Sequence, residues 1–236
     1  KKILLSRILK KLPMLLMSKS HLFLLENKMY NSESIKIKNE LIKVITSLKG
    51  KTIMTLGGVS IDVEGKSGMG DLLEEWFGVW AKKNNFDIKK QSESQEFPDY
   101  FVGEDNHHLE IKTFDSTAGA NFDLANFDSY CESVAEDPSR ADSDYLIFSY
   151  KLEKGQLSIE NIWLKKIWEI TCPSDAYPLK IQRKKKIIYN IRPANWDAKN
   201  PIFKTFSSKE DFIEALFEKQ KKYKGTSNKD LYLSNL

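Results

Sequence analysis

Pro98-Asp99 is followed, within a short stretch, by Glu110-Ile111-Lys112. These residues supply two carboxylates and an ammonium, the side chains needed to hold a hard divalent cation and to act on a phosphate ester. Carboxylates brought close repel one another unless a cation relieves the repulsion. Mg²⁺ suits such a donor set: it takes oxygen ligands, needs one or two carboxylates, and keeps positions for water and a phosphate oxygen. A bound ion would polarise the phosphoryl group and lower the pKa of a water, while Lys112 would orient that water or stabilise charge developing on the phosphate. The chemistry expected is hydrolysis of a phosphodiester.

The segments around these residues decide whether the side chains can meet. DYFVG at 99–103 and HLEIKTF at 108–114 both read as strands, and the polar run EDNH between them reads as a turn. Strand side chains alternate, so Glu110 and Lys112 share one face while Leu109 and Ile111 point to the other, into a core. A hairpin of this kind brings Asp99 near Glu110. The competing reading is a proline-led turn followed by a solvated strand face, since acid-x-Lys patterns also arise by chance. The helix predicted just before, GDLLEEWFGVWAKKNN at 70–85, adds Glu74 and Glu75 near its start and an apolar stripe of Leu72, Leu73, Trp76, Phe77 and Trp80.

The other elements read as a mixed α/β chain. Ile35 to Leu48 fits an amphipathic helix stopped by Gly50, followed by strand-like KTIMTL, turn glycines Gly57 and Gly58, and VSIDV. Gly65-Lys66-Ser67 is not a phosphate loop, because Ser60 stands where that motif needs glycine, and it reads as a turn. NFDLANFDSYCESVA at 121–135 is predicted helical. YLIFSY at 145–150 is a buried strand, LSIENIWLKKIWEI a strand passing into a short helix, 180–193 a basic strand, and 207–223 a helix capped by Ser208 with Asp211 at the capping-box position.

The chain has 236 residues, 41% hydrophobic and 30% charged, with 11 glycines and 7 prolines. This composition fills a core and excludes collagen-like and low-complexity classes. Only two cysteines, Cys131 and Cys172, are present. They lack metal-site spacing and point to a reducing, cytoplasmic setting. The net charge of +4 is concentrated at the start, where residues 1–28 hold seven Lys or Arg against one acid. Lys10, Lys11, Pro13 and Lys19 interrupt the apolar runs there, which argues against a signal peptide or membrane anchor. We expect Met29 to be a natural start with 1–28 an extension that is not native, an amphipathic membrane-surface helix being the other reading. Residues 29–236 then form one domain.

The residues quoted resemble the PD-(D/E)xK nucleases. SQEFPDYFVGEDNHHLEIKTFD, NFDLANFDSY, DYLIFSY, NIWLKKIWEIT and IIYNIRPANW together resemble the NgoBV/NlaIV type of restriction enzyme, from about Ile35 to Tyr223. The resemblance implies an α+β restriction-endonuclease-like fold, a mixed central sheet flanked by helices, and Mg²⁺-dependent cleavage of double-stranded DNA. It makes Asp99 and Glu110 metal ligands and Lys112 the catalytic lysine. A further acid from the preceding helix is implied, with Glu75 the first candidate and Glu74 the second. A GGNNCC-like palindromic target is also implied. Such a target calls for a two-fold homodimer, and the usual functional partner is a DNA methyltransferase.

Residues 180–204 hold eight Lys or Arg, Arg183, Lys184, Lys185, Lys186 and Arg192 among them, against Asp197 alone. This is the expected phosphate-contacting region, the alternative being a basic strand edge. Asn121, Asp123, Asn126 and Asp128 sit in a repeated Asn-Phe-Asp and could read adenine and cytosine edges, or equally cap and turn. Arg183 and Arg192 could read guanine. His107-His108 is expected in a turn, and Trp163, Trp168 and Trp196 in the core or a dimer interface. The functional alternatives are a repair or junction-resolving nuclease of the same fold, and a non-catalytic DNA-binding domain. The presence of Asp99, Glu110 and Lys112 together weighs against the latter.

Overall fold

The computed structural model describes residues 29–92, 96–174 and 177–236. The strand that carries Glu110 and Lys112 lies inside a six-stranded sheet. In chain order the elements are α1 (Ser32–Val44), β1 (Lys49–Lys51), β2 (Ile53–Leu56), β3 (Val59–Asp62), α2 (Met69–Lys83), β4 (Ile88–Lys90), β5 (Tyr100–Val102) and β6 (His107–Asp115). Then follow β7 (Ala125–Asn126), α3 (Phe127–Glu136), β8 (Asp144–Glu153), β9 (Gln156–Lys166), β10 (Ile181–Lys184), β11 (Ile187–Ile191), α4 (Lys209–Lys224) and α5 (Lys229–Ser234).

The main sheet runs β1-β9-β8-β6-β5-β4. Only β6 and β8 pair in parallel, from Leu109↔Asp144 to Asp115↔Tyr150, and the segment through β7 and α3 supplies the crossover that a parallel pair requires. The fold is therefore the mixed sheet flanked by helices expected above. Alternation divides the core in two. On one face Leu109, Ile111, Leu146 and Phe148 pack with Ile35, Ile37 and Leu41 of α1 and with Leu73 and Phe77 of α2. On the other, Phe114, Tyr145 and Ile147 pack with Phe127, Tyr130 and Val134 of α3 and with Phe212 and Leu216 of α4. Glu110 and Lys112 share this second face, so their strand is held by apolar contacts on both sides of the two positions.

Several expectations are corrected. Gly50 does not stop a helix. The helix ends at Val44, a 3₁₀ turn covers Ile45–Ser47, and Gly50 joins β1, where the open edge of β9 recruits it opposite Leu157. Only the second half of 121–135 is helical, because the Asn126 side chain accepts from Ser129 N–H at 3.1 Å and starts α3 there. The basic segment 180–193 is a hairpin rather than one strand. Lys185 and Lys186 occupy left-handed conformations at φ 48° and 70°, a turn that glycine or asparagine usually announces. His107 and His108 open β6 instead of lying in a turn. His107 lies 3.4 Å from the buried Asp144, which pairs with Lys166 at 2.6 Å, and His108 packs edge-on to Phe97 and Phe101. Leu72, placed on the apolar stripe, is 57% exposed.

Other readings stand. Cys131 and Cys172 are free and buried. Trp168 is buried, and Trp163 and Trp196 meet edge to face at 4.8 Å against the second core. Ser208 accepts from Asp211 N–H at 3.1 Å at the start of α4. The expectations for residues 1–28 fall outside the described residues. Among the described residues no helix is long and apolar enough to cross a membrane.

Candidate active site

The β5–β6 register pairs Tyr100 with Leu109, which sets Asp99, one residue before β5, opposite Glu110. The backbone locks this arrangement from both sides. Ile111 N–H donates to Asp99 Oδ2 at 2.7 Å, and Asp99 N–H donates to Glu110 Oε2 at 3.3 Å. Two positions along the same face, Lys112 Nζ donates to Glu110 Oε1 at 2.6 Å. The hairpin thus brings all three side chains together, as alternation requires.

Helix α2 forms the wall beside them. The Tyr100 hydroxyl donates to the Glu74 carbonyl at 2.9 Å, fastening the helix to the hairpin. This contact requires glycine at 78: a Cβ there would lie 2.4 Å from Tyr100 Oη and 3.1 Å from Cζ. Glu74 and Glu75 both reach the cleft, where Lys90 from the end of β4 pairs with Glu74 at 3.4 Å and also with Glu75. Their environments differ. The Glu74 side chain is 26% exposed and that of Glu75 68%, and it is the charge of Glu74 that acts on Asp99 and Lys112. Both acids line the cleft, Glu74 the more buried of the two and the one whose charge is felt at Asp99 and Lys112.

Electrostatics show what the cluster lacks. Burial first, and then the Glu110 carboxylate, push the Asp99 carboxyl up to about 7, against the opposing pull of Lys112 and the Ile111 N–H. For Lys112, burial favours the neutral amine, but Glu110 and Asp99 outweigh it and raise the pKa above the ordinary lysine value. The lysine is a firm ammonium, and its one charge does not satisfy both carboxylates. An added cation would. Among the described residues no group of three or more His, Cys, Asp or Glu forms a metal cage. The donor set is two carboxylates that leave most of a coordination sphere to water and phosphate oxygens, which fits Mg²⁺ better than a cage-seeking ion.

The surrounding cleft, about 1040 Å³, runs from Asp71, Glu74 and Glu75 across the carboxylates to Asn126, Ser129, Ser133 and Arg140. Comparison with known proteins shows the family. The sequence model of the NgoBV restriction endonuclease family matches residues 30–234. The chain belongs to that family. It is 34% identical over 182 residues to the type II restriction enzyme NlaIV of Neisseria lactamica, covering 74% of each chain. It is 30% identical over 144 residues to the type II restriction enzyme NgoBV of Neisseria gonorrhoeae, covering 60% of this chain and 82% of that one. The solved structure of the NlaIV restriction endonuclease superposes with a TM-score of 0.78 at 30% identity, covering 86% of this chain and 87% of the other.

In this endonuclease the predicted DNA contacts separate into three groups. Asp123 and Asn126 reach the cleft, but Arg192 is bound to Asp123 and Asn121 within the chain, and Asn126 caps α3. Asn126 supplies both cap and cleft surface, and Asp123 cleft surface and an ion pair. Asp128 leaves the cleft and pairs with Lys224 of α4 at 2.9 Å. Arg183, Lys184, Lys185 and Lys186 are exposed on the β10–β11 hairpin, with Lys184 Nζ 4.1 Å from the centre of the Tyr189 ring. Asn190 of this hairpin pairs with Asn126, so at about 3.3 Å per residue the lysine tip lies about 13 Å along the ribbon from that pair, and Ile188 N–H donates to the Tyr223 hydroxyl of α4 at 3.4 Å.

Sequence reasoning missed Lys90, Asp71, Ser129, Ser133 and Arg140, all of which line the endonuclease's cleft. Ser129 and Ser133 are one helical turn apart beyond the Asn126 cap, a polar stripe that the helix start would have exposed. Lys90 and Arg140 carry no such signal, because each enters from a different element.

Proposed function

We propose that the chain is a Mg²⁺-dependent type II restriction endonuclease that hydrolyses double-stranded DNA at a GGNNCC-like palindrome. It would act in the cytoplasm as a two-fold homodimer, in a restriction-modification system with a cognate DNA methyltransferase. The observation that carries this reading is Asp99 held opposite Glu110 across the hairpin by two backbone N–H donors, with Lys112 bonded to Glu110 on the same face and Asp99 pushed up to about 7 by its burial and by Glu110.

Asp99 and Glu110 would hold the ion, which when bound supplies a lowered water pKa and charge neutralisation at the phosphate. The remaining work belongs to the chain. Lys112, as an ammonium with three donors, keeps one on Glu110 Oε1 and has others to orient a water or meet the phosphate's developing charge. The Ile111 N–H fixes the Asp99 carboxylate so that no side-chain search precedes binding. Glu74 adds negative potential at the helix wall, which Lys90 partly offsets. The lysine-tipped hairpin would grip phosphates along the duplex and set register without reading bases. GGNNCC identity would come from cleft groups such as Asn126 and from Arg192 or Arg183 meeting guanine.

The test is digestion of unmethylated phage DNA with Mg²⁺, beside an EDTA control and Asp99→Ala and Lys112→Ala variants. Discrete fragments from the parent chain alone, with ends that sequence to GGNNCC, are expected. Intact DNA in every lane overturns the reading.

A further inference from the structure

The β2–β3 ribbon stands apart from the main sheet and does not contribute to the cleft. Its register pairs Met54 with Ile61 and Leu56 with Val59, so alternation gathers these four apolar side chains on one face. The other face carries Thr55 and Ser60, whose hydroxyls meet at 2.8 Å. The apolar face lies open: Met54 is 50%, Ile61 52%, Val59 67% and Leu56 74% exposed. Nothing among the described residues covers it. An isolated two-stranded ribbon is marginal in water, yet this one is anchored at its base, with Thr52 N–H donating to Gly155 O at 2.9 Å and Val63 N–H to Thr52 O at 2.8 Å.

Beside the ribbon lies a mainly apolar recess of about 750 Å³, walled by Leu48, Met69, Leu72, Trp76, Trp80 and Ile159 and sharing Met54 with the ribbon. Helix α2 separates the two sites. Its acids line the cleft, while Leu72, Trp76 and Trp80 line the recess. We infer that this face is the two-fold contact of the homodimer, with the ribbon of each copy seated in the recess of the other. The inference rests on the dimeric reading above.

A second copy is the occupant because one chain carries both halves of the contact. An isologous interface requires a self-complementary patch, and here an apolar projection adjoins an apolar recess. The charges agree: Lys49 and Lys51 lie at the rim of the recess and Glu64 beside the base of the ribbon, all exposed, so a two-fold rotation can bring opposite signs together. Each copy both donates a ribbon and receives one, so a two-fold contact uses this small element twice. The catalytic cleft stays open to DNA.

The test is sedimentation of the full chain, from nanomolar to tens of micromolar, beside the double variant Leu56→Asp/Val59→Asp. These positions flank the Gly57-Gly58 turn and are mostly exposed, so the variant's far-UV circular dichroism should match the parent's. A dimeric parent is expected, with the dimer dissociation constant raised about a hundredfold or more in the variant. Hydrogen exchange at 53–62 provides a second readout, with protection in the parent that fades on dilution. A variant as dimeric as the parent overturns the inference. So does a monomeric parent whose ribbon amides stay protected at every dilution, which would assign the cover to another part of the same chain. Cleavage assays on the same samples keep the two readings apart. A dimer that depends on the ribbon but never cuts DNA refutes the nuclease reading alone, and a monomer that cuts refutes the contact alone.

Discussion

Replacing Asp99 with asparagine should stabilise the metal-free enzyme while abolishing catalysis. Asparagine keeps the oxygen that accepts from Ile111 N–H at 2.7 Å and removes the charge that Glu110 repels. The Asp99 carboxyl rises from 3.8 to about 7, through burial first and Glu110 second. A raised pKa means that the fold prefers the protonated acid. The penalty is therefore absent below about pH 4, grows as pH climbs, and is complete above about 7. At about 1.4 kcal/mol per pH unit, the rise caps the effect near 4 kcal/mol, and relaxation of the site lowers the expected gain to about 1–3 kcal/mol. For a chain of this size each kcal/mol moves Tm by about 2–4 °C. Thermal melts in EDTA should show Asp99→Asn melting about 2–10 °C above the parent at pH 8 and level with it at pH 4. Adding Mg²⁺ should narrow the gap at pH 8, because binding to the native state stabilises only the chain that keeps both carboxylates. An Asp99→Asn protein that melts below the parent at pH 8 in EDTA, or a gap that is flat with pH, would refute the repulsion argument.

Gly78→Ala forces a methyl to 2.4 Å from Tyr100 Oη and should destabilise by about 1–3 kcal/mol in denaturant titration, with partial rescue by Tyr100→Phe, which removes the closest atom. Glu74→Gln should slow single-turnover cleavage by about tenfold or more, at about 1.4 kcal/mol per tenfold, and Glu75→Gln by much less, because Glu74 is the more buried and its charge is among those felt at Asp99 and Lys112; equal losses would remove the distinction. Changing Lys184, Lys185 and Lys186 together to Ala should weaken binding to specific and unrelated duplexes alike, and flatten the slope of log affinity against log salt by about 0.9 for each phosphate no longer neutralised. A weakening confined to the specific site would mean that the hairpin reads bases.

The strand of the candidate site was legible because its information is local. Pro98-Asp99 and Glu110-Ile111-Lys112 needed only period-two alternation and one tight turn to meet, and the register Tyr100↔Leu109 delivers both. The buried run at 145–150 was legible for the same reason, since a strand buried on both faces is a continuous apolar run. Where tertiary partners decide, local signals mislead. Gly50 reads as a helix stop, but the unpaired edge of β9 takes it into the sheet. Lys185 and Lys186 hide a reversal because their left-handed turn uses neither glycine nor asparagine. The order of Glu74 and Glu75 depends on the helix's rotation about its axis, which Gly78 against Tyr100 sets, and no spacing along the chain encodes that approach.

Arg192 shows the limit of assigning base contacts from residue type. A free guanidinium is a natural reader of guanine, but here it is held by Asp123 and Asn121, with only 17% of its side chain exposed. To read a base it must exchange an anionic partner for a neutral one, which costs free energy unless the nucleic acid supplies compensating contacts to the freed Asp123. Cytosine offers an amino donor that a carboxylate accepts, so a G·C pair can engage both residues at once, while an A·T pair lacks the two acceptors that guanine offers the guanidinium. On DNA the linked pair should therefore discriminate as a unit. Replacing Asp123 alone should loosen Arg192 and relax specificity more than it weakens affinity, whereas replacing both should cost less than the two single replacements added together.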